Sequence, residues 1–355
     1  MKLNDIHITH LRNILSTKAT LHPHINFITG NNGSGKTSFL EAIYLLASGH
    51  SFRSREISAL VSHLQDKLVV FANTFDNQYI SIQKAIRSPT IARINGQPCL
   101  SSSELAFFLP CQVIYQDIFQ IIDAGPAVRR SFLDWGLFHV EHSYHAMWKE
   151  YRRALKQRNT LLKKRAINTE LIPWNNILSS LAEQLNNYRE NYFLKLLETF
   201  KVILAKLTDF ECLLNYYKGW DKRSEGKDLA SILNASYEID LARAQTHYGA
   251  HQADLLITSD DIKARHFLSR GQQKMVLFAL KFAQTALLEE PCIYLIDDFT
   301  SELDDVHLQR LLNYIVASND QFIITLRKES RIIKQFNFPH QVLNINHGQI
   351  DLVEK

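Results

Sequence analysis

The 355-residue chain has only four cysteines, Cys99, Cys111, Cys212 and Cys292, and no two of them stand at a paired spacing. Neither a disulfide framework nor a zinc site is suggested by that spacing. Fifteen histidines are present, yet none falls into a metal-ligand pattern, so surface or hydrogen-bonded core positions are their expected places. No stretch approaches the roughly 18 apolar residues of a membrane span, and Met1 to His7 lacks the apolar run of a signal peptide. The expectation is a cytoplasmic protein without membrane contact. Internal repeats and low-complexity tracts are missing as well. What remains is a hydrophobic fraction of 46%, ordinary for a folded protein, over a length that suggests about two domains.

Against that plain background one stretch stands out. Gly30-Asn31-Asn32-Gly33-Ser34-Gly35-Lys36-Thr37 has two glycines separated by four residues, then lysine and a hydroxyl residue. This is the spacing of a phosphate-binding loop. Its glycines let backbone N–H groups turn inward around phosphates, Lys36 reaches the β/γ oxygens, and Thr37 can hold Mg²⁺. Residues 24–29 read as a buried strand feeding the loop, and residues 38–47 carry helical apolar spacing at Phe39, Ile43 and Leu46. Strand, loop and helix N-terminus together make an anion site.

A second motif lies far downstream. Cys292 to Ile296 is an apolar run ending in Asp297 and Asp298, the pattern of a buried parallel strand that delivers acids to a sheet edge. Taken alone, such a pair is more often an exposed turn or a helix cap. Combined with the loop, Asp297 is expected to hold Mg²⁺ through water and Asp298 to accept a proton from the attacking water or orient it.

For the two motifs to meet, the nucleotide lobe must be assembled from both ends of the chain. Strands are predicted at 68–71, 79–82 and 91–94, with Asn95-Gly96 as a hairpin signal, and again at 255–258, 322–325 and 342–345. Between them, from Pro126 to about Phe210, the pattern is helical, with Pro173-Trp174 expected to separate two long helices. The division predicted is therefore residues 1–125 with 246–355 as the α/β lobe, and 126–245 as an inserted helical lobe.

A net charge of +4 is too small to announce a nucleic-acid binder, but it is unevenly placed. Residues 126–200 hold twelve Lys/Arg against seven Asp/Glu. Lys149, Arg152, Arg153, Lys156 and Lys163 share one helical stripe beside Tyr151, Leu155 and Leu162. The stripe is either a solvated helix face or a surface for phosphate backbones.

Leu268-Ser269-Arg270-Gly271-Gln272 resembles the signature motif of ABC-type ATPases, and Ser301-Glu302-Leu303-Asp304 looks like their D-loop. With Leu11-Arg12-Asn13, the segment 125–135 around Arg129 and Arg130, and Gly249-Ala250-His251-Gln252-Ala253-Asp254-Leu255, the whole chain is similar to the RecF family. The resemblance implies an ABC-type ATPase head with a helical second lobe, belonging to a DNA repair and replication ATPase of the SMC-like branch. It implies ATP and Mg²⁺ as cofactors, an ATP-dependent homodimer, DNA as ligand, and action with RecR and RecO in placing RecA on gapped DNA. Ser269, Arg270, Gly271 and Gln272 would cover, in trans, the nucleotide held by a second subunit. Arg12 would join the ATP contacts, Ser301 and Asp304 the D-loop, and Gln116 and Thr325 the lid and switch positions, with Thr325 facing the γ-phosphate. Arg129, Arg130, Lys149, Arg152, Arg153 and Lys156 are the candidate DNA contacts, although Arg129 and Arg130 could instead pair with Asp123 or Asp134.

Several residues depart from the family pattern. Tyr115-Gln116-Asp117 stands where proline and glutamate are usual, and Ala250 and Gln252 stand where proline and a basic residue are common. Asp298 is one methylene shorter than the glutamate of many ABC ATPases, which predicts slow turnover. The rival reading is the ATPase subunit of an ABC transporter, whose helical lobe would dock onto a membrane partner.

Overall fold

Period-two burial organises the start of the chain in the computed structural model, which describes residues 1–222, 225–259, 262–327, 333 and 336–352. Strands β1 (Leu3–Leu11) and β2 (Ile14–Thr20) form a hairpin, while β3 (Ile25–Gly30) is buried at every position and belongs to a different sheet. The nucleotide-loop segment leads into α1 (Lys36–Ser48). Strands β4 (Lys67–Thr74) and β5 (Tyr79–Ala85) alternate buried and open positions, as half-covered antiparallel strands do. They are followed by β6 (Ile91–Ile94) and β7 (Gln97–Pro98), whose turn is Asn95-Gly96 with φ of 50° and 79°. The sheet runs β2-β1-β4-β5-β6-β7, and its inner face, through Ile6, Ile8, Val70 and Ile82, shares one apolar core with Phe39, Ile43 and Leu46 of α1. Helix α2 (Ser102–Phe108), capped by Ser101, then delivers β8 (Cys111–Ile114).

From there the chain turns helical: α3 (Gln120–Asp123), α4 (Pro126–Val140), α5 (Tyr144–Lys163) and α6 (Asn168–Leu207). After β9 (Leu213–Tyr217) come α7 (Leu229–Ala235) and α8 (Tyr237–Arg243), then β10 (Asp254–Ser259), β11 (Ile262–Lys263), α9 (Ala264–Phe267) and α10 (Arg270–Thr285). The last part supplies β12 (Ile293–Ile296), α11 (Asp305–Ala317), β13 (Gln321–Arg327), β14 (Gln341–Asn346) and β15 (Gln349–Leu352). A second sheet is ordered β15-β14-β3-β13-β12-β8, all parallel except β15. Strand β3 is thus flanked on both sides by strands from the far end of the chain.

Two compact units result, Met1–Ile118 with Glu290–Lys355, and Phe119–Glu289. The boundaries differ from the expected 125 and 245. Residues 246–289 go with the helical unit because β10 pairs antiparallel with β9 and α10 packs along α6.

Pro173 does not separate the long helices. It lies inside α6, a 40-residue helix roughly 60 Å long. So close to the helix start, its missing N–H removes a single bond, back to the second helical residue. The break falls at Lys164–Ala166 instead, where Arg165 adopts φ 55° and the Arg165 and Ala166 N–H groups bond back to Leu162 and Leu161. Among the described residues no helix is long and apolar enough to cross a membrane.

Candidate functional site

Strand β3 ends where the glycine loop begins, at the C-terminal edge of the parallel sheet, the usual place for a ligand in such sheets. Gly30, Gly33 and Gly35 take φ of 153°, 76° and 119°. At Gly30 a Cβ would run into the Ile345 carbonyl and the Ser34 hydroxyl, so the close approach requires glycine. Asn31, Asn32 and Gly33 are exposed at the crest, while Ser34 and Gly35 are buried. The Lys36 ammonium donates to the carbonyls of Gly30 at 2.8 Å and Asn31 at 2.9 Å, folding back over the loop. Burial pulls the Lys36 pKa below its ordinary value, against the opposing pull of Asp297 and Asp298.

Strand β12 brings the acids to the same edge, and the Asp297 N–H extends the ladder to the Ile114 carbonyl at 2.8 Å. The Thr37 hydroxyl donates to Asp297 Oδ2 at 2.9 Å, so the two expected metal ligands are in contact. A hydroxyl and a carboxylate so close are hard oxygen donors suited to Mg²⁺ alongside phosphate oxygens. Thr325 was expected to face the γ-phosphate. Its hydroxyl instead donates to Asp297 Oδ1 at 2.7 Å and accepts the Asp298 N–H at 2.9 Å, at 1% exposure, which makes it a brace between the two acids. Asp298 adopts φ 49°, and its carbonyl accepts from the Ser301 hydroxyl and N–H. Asp304 caps α11 by accepting the His307 N–H at 2.8 Å. Gln116 is exposed just beyond β8, the strand beside Asp297's own.

Arg12, expected among the nucleotide contacts, commits its guanidinium to the fully buried Glu41 of α1, which also accepts from Ser51. The residue beside it does touch the loop. Asn13 donates to the Gly33 carbonyl and accepts from Ser38, each at 3.1 Å. No spacing rule singles out Asn13; the signal in the sequence is its place in Leu11-Arg12-Asn13, one of the segments on which the resemblance rests, where Arg12 and not Asn13 is the expected nucleotide contact.

In the helical unit, Ser269 is the N-cap of α10, accepting the Gln272 N–H at 3.3 Å, while the Gln272 side chain accepts the Ser269 N–H at 2.9 Å. This reciprocal capping box leaves Ser269 exposed and Gly271 half-buried at a helix start. Arg270 pairs with Asp123 at 2.8 Å and lies over the Phe119 ring.

The candidate DNA contacts divide sharply. Arg129 forms a two-pronged pair with Asp254, at 2.7 and 3.1 Å, and also donates to the Ala124 carbonyl; Arg130 donates to the Ala253 carbonyl at 2.6 Å. Among the described residues neither makes a hydrogen-bonded ion pair with Asp123 or Asp134, and both half-buried side chains turn to partners inside the fold. The Asp134 carboxylate is taken by Arg189 at 2.8 Å. Lys149, Arg152, Arg153, Lys156 and Lys163 are all exposed on α5, with Arg152 stacked over Trp148. His251 is internal: its Nδ1 meets the Tyr151 hydroxyl at 2.7 Å and its Nε2 the Thr246 carbonyl at 3.0 Å, and burial lowers its pKa to about 4.

The strand order, and the convergence of both chain ends on a single glycine loop, are those of an ABC-type ATPase head. The family described as RecF/RecN/SMC N terminal domain matches residues 2–349. The DNA replication and repair protein RecF of Cellvibrio japonicus is 38% identical over 364 residues, covering 99% of either chain. That of Marinomonas sp. (strain MWYL1) is 39% identical over 334 residues, covering 92% of this chain and 90% of its own. A solved structure of the recombination mediator protein RecF with ATP, in the RecFOR pathway, matches with a TM-score of 0.83 at 25% identity, over 99% of this chain and 98% of that one. The chain belongs to the RecF family, and so to the SMC-like ATPases. A transporter ATPase subunit is not favoured, since relatives over the full length carry the repair name.

Proposed function

We propose that the chain is an ATP-gated DNA-binding protein of replication and repair. It dimerises on DNA at single-strand/double-strand boundaries when ATP is bound and releases after slow hydrolysis. The observation that carries the reading is the contact of Thr37 with Asp297, which joins the nucleotide loop to the acidic strand. Thr37 and Asp297 would hold Mg²⁺, which when bound would neutralise charge on the transferred phosphoryl group. Lys36 would leave the loop carbonyls for phosphate oxygens. Asp298 would orient or deprotonate the attacking water, and its short side chain fits a timer better than a motor.

Ser269 and the exposed start of α10 would meet the γ-phosphate of a second subunit, so that losing this phosphate removes the contacts favouring the closed dimer. The α5 stripe would take the DNA backbone, giving affinity that falls with salt and little base specificity. RecR and RecO would be partners in bringing RecA to gapped DNA in the cytoplasm.

The experiment is fluorescence anisotropy of a labelled gapped duplex, titrated with protein in Mg²⁺-ATP and separately in Mg²⁺-ADP at fixed salt. Tight binding with ATP alone is expected. Equal binding in both nucleotides would remove the gating, and binding in neither would remove direct DNA recognition by the chain alone.

A further inference from the structure

Two hairpin turns press on the outside of the nucleotide loop. The β1–β2 turn consists of Arg12 and Asn13 between the paired Leu11 and Ile14. Arg12 holds φ 52°, its N–H donates to the Leu60 carbonyl at 2.7 Å, and its guanidinium is committed to Glu41. The turn is thereby fixed to α1 and to the chain before β4, and Asn13 is left facing the loop. Its carboxamide nitrogen holds the Gly33 carbonyl, and its oxygen takes the hydroxyl of Ser38, in the first turn of α1. Directly beside it lies the β14–β15 turn, His347 and Gly348, with φ of 47° and 78°. The Gly348 N–H donates to the Ser34 carbonyl at 2.9 Å, and a Cβ at Gly348 would overlap the Asn13 carbonyl.

Successive peptide planes of the loop are therefore pinned from outside. In a trans peptide the C=O and the following N–H point in opposite directions. Holding the Gly33 oxygen fixes the direction of the Ser34 N–H, which donates to the Asn31 carbonyl at 3.2 Å, and holding the Ser34 oxygen fixes that of the Gly35 N–H. These lie in the segment whose N–H groups cradle phosphate in a loop of this kind.

We propose that Asn13 is a positioning residue of the nucleotide site, spanning the loop from its crest to the start of α1 and setting the orientation of the loop N–H groups. The proposal rests on the ATP-binding reading of this loop. A carboxamide suits the task because one end must donate to a carbonyl while the other accepts from a hydroxyl. Aspartate could only accept, and would set its charge against the Gly33 oxygen. Ser38 acts through Asn13, so its removal loosens one arm only.

The test measures affinity for a fluorescent ATP analogue with Mg²⁺, and the melting temperature without nucleotide, in wild type, Asn13→Ala, Asn13→Asp, Ser38→Ala and the Asn13→Ala/Ser38→Ala double variant. Asn13→Ala is expected to weaken binding about five- to tenfold, the loss of two hydrogen bonds, while lowering the nucleotide-free melting temperature no more than Ser38→Ala does. Asn13→Asp should lose more, Ser38→Ala less, and the double variant no more than Asn13→Ala alone. Wild-type affinity in Asn13→Ala, or a loss that follows a melting temperature falling below that of Ser38→Ala, would overturn the proposal while leaving the nucleotide reading intact. Wild-type protein that fails to bind the analogue would overturn the nucleotide reading, and this proposal with it.

Discussion

The Thr37 hydroxyl and the Asp297 carboxylate stand 2.9 Å apart although 260 positions separate them in sequence. Everything at the nucleotide edge depends on that meeting, and what holds it is equally specific. Asp297 has its second oxygen on Thr325, which also carries the N–H of Asp298.

Replacing Thr325 by valine keeps the shape and deletes the brace. The part-buried bonds that the hydroxyl makes to Asp297 and to the Asp298 N–H are then both lost, at about 0.5–1.5 kcal/mol each. Urea unfolding should show that loss, and ATP hydrolysis should fall more than ATP binding. Thr325→Ser should restore most of both, because it returns the hydroxyl.

Asp298→Asn should leave nucleotide affinity near wild type and lower phosphate release on the order of a hundredfold, the range for loss of a general base. Light scattering should then show a dimer that persists in ATP. Hydrolysis at the wild-type rate would remove Asp298 from the chemistry.

Charge reversal separates the two groups of arginines. Arg152→Glu, Arg153→Glu and Lys156→Glu together should lower DNA affinity and reduce the salt slope, by roughly 0.9 for each phosphate no longer neutralised, at an unchanged melting temperature. Arg129→Glu would set two carboxylates together and strand Asp254, so the melting temperature itself should drop, as it does when one partner of a buried pair is removed.

Acid should weaken the fold through His251 and His139, both held by burial at about 4 against an ordinary value of 6.5. Unfolding lets each take up a proton between those values, so this stability is fully present above about pH 6.5 and is lost as pH falls towards 4. Thermal melts across that window should show a falling midpoint, and His251→Gln should flatten the slope by up to about one proton's worth. An unchanged slope would mean that His251 is already charged in the folded protein.

Local chemistry was legible in the sequence. The loop, the acidic strand end and the strands around 68, 79, 91, 255, 322 and 342 all lie where the residue patterns place them, because glycine spacing and apolar runs act over a few residues. Long-range partners were not. Nothing near Arg129 announces Asp254, more than a hundred positions away, and Arg12 follows the same rule with Glu41. Pro173 misled because a proline early in a helix removes so little hydrogen bonding that a long helix absorbs it. The unit boundary at 289 was hidden because the residues of β10 do not reveal that it pairs with β9, nor those of α10 that it packs along α6.

Strand β3, buried at all its positions, lies between β13 and β14. Its neighbours begin at residues 321 and 341, so a ribosome must add some three hundred residues before either can arrive. At about 5–20 residues per second that is on the order of 15 to 60 s, during which a strand shaped for burial and the glycine loop after it lack the sheet they belong to. A nascent chain therefore carries the nucleotide motif long before it can hold a nucleotide. Ribosome-bound intermediates should be clients for chaperones, and premature termination should leave no partial activity behind.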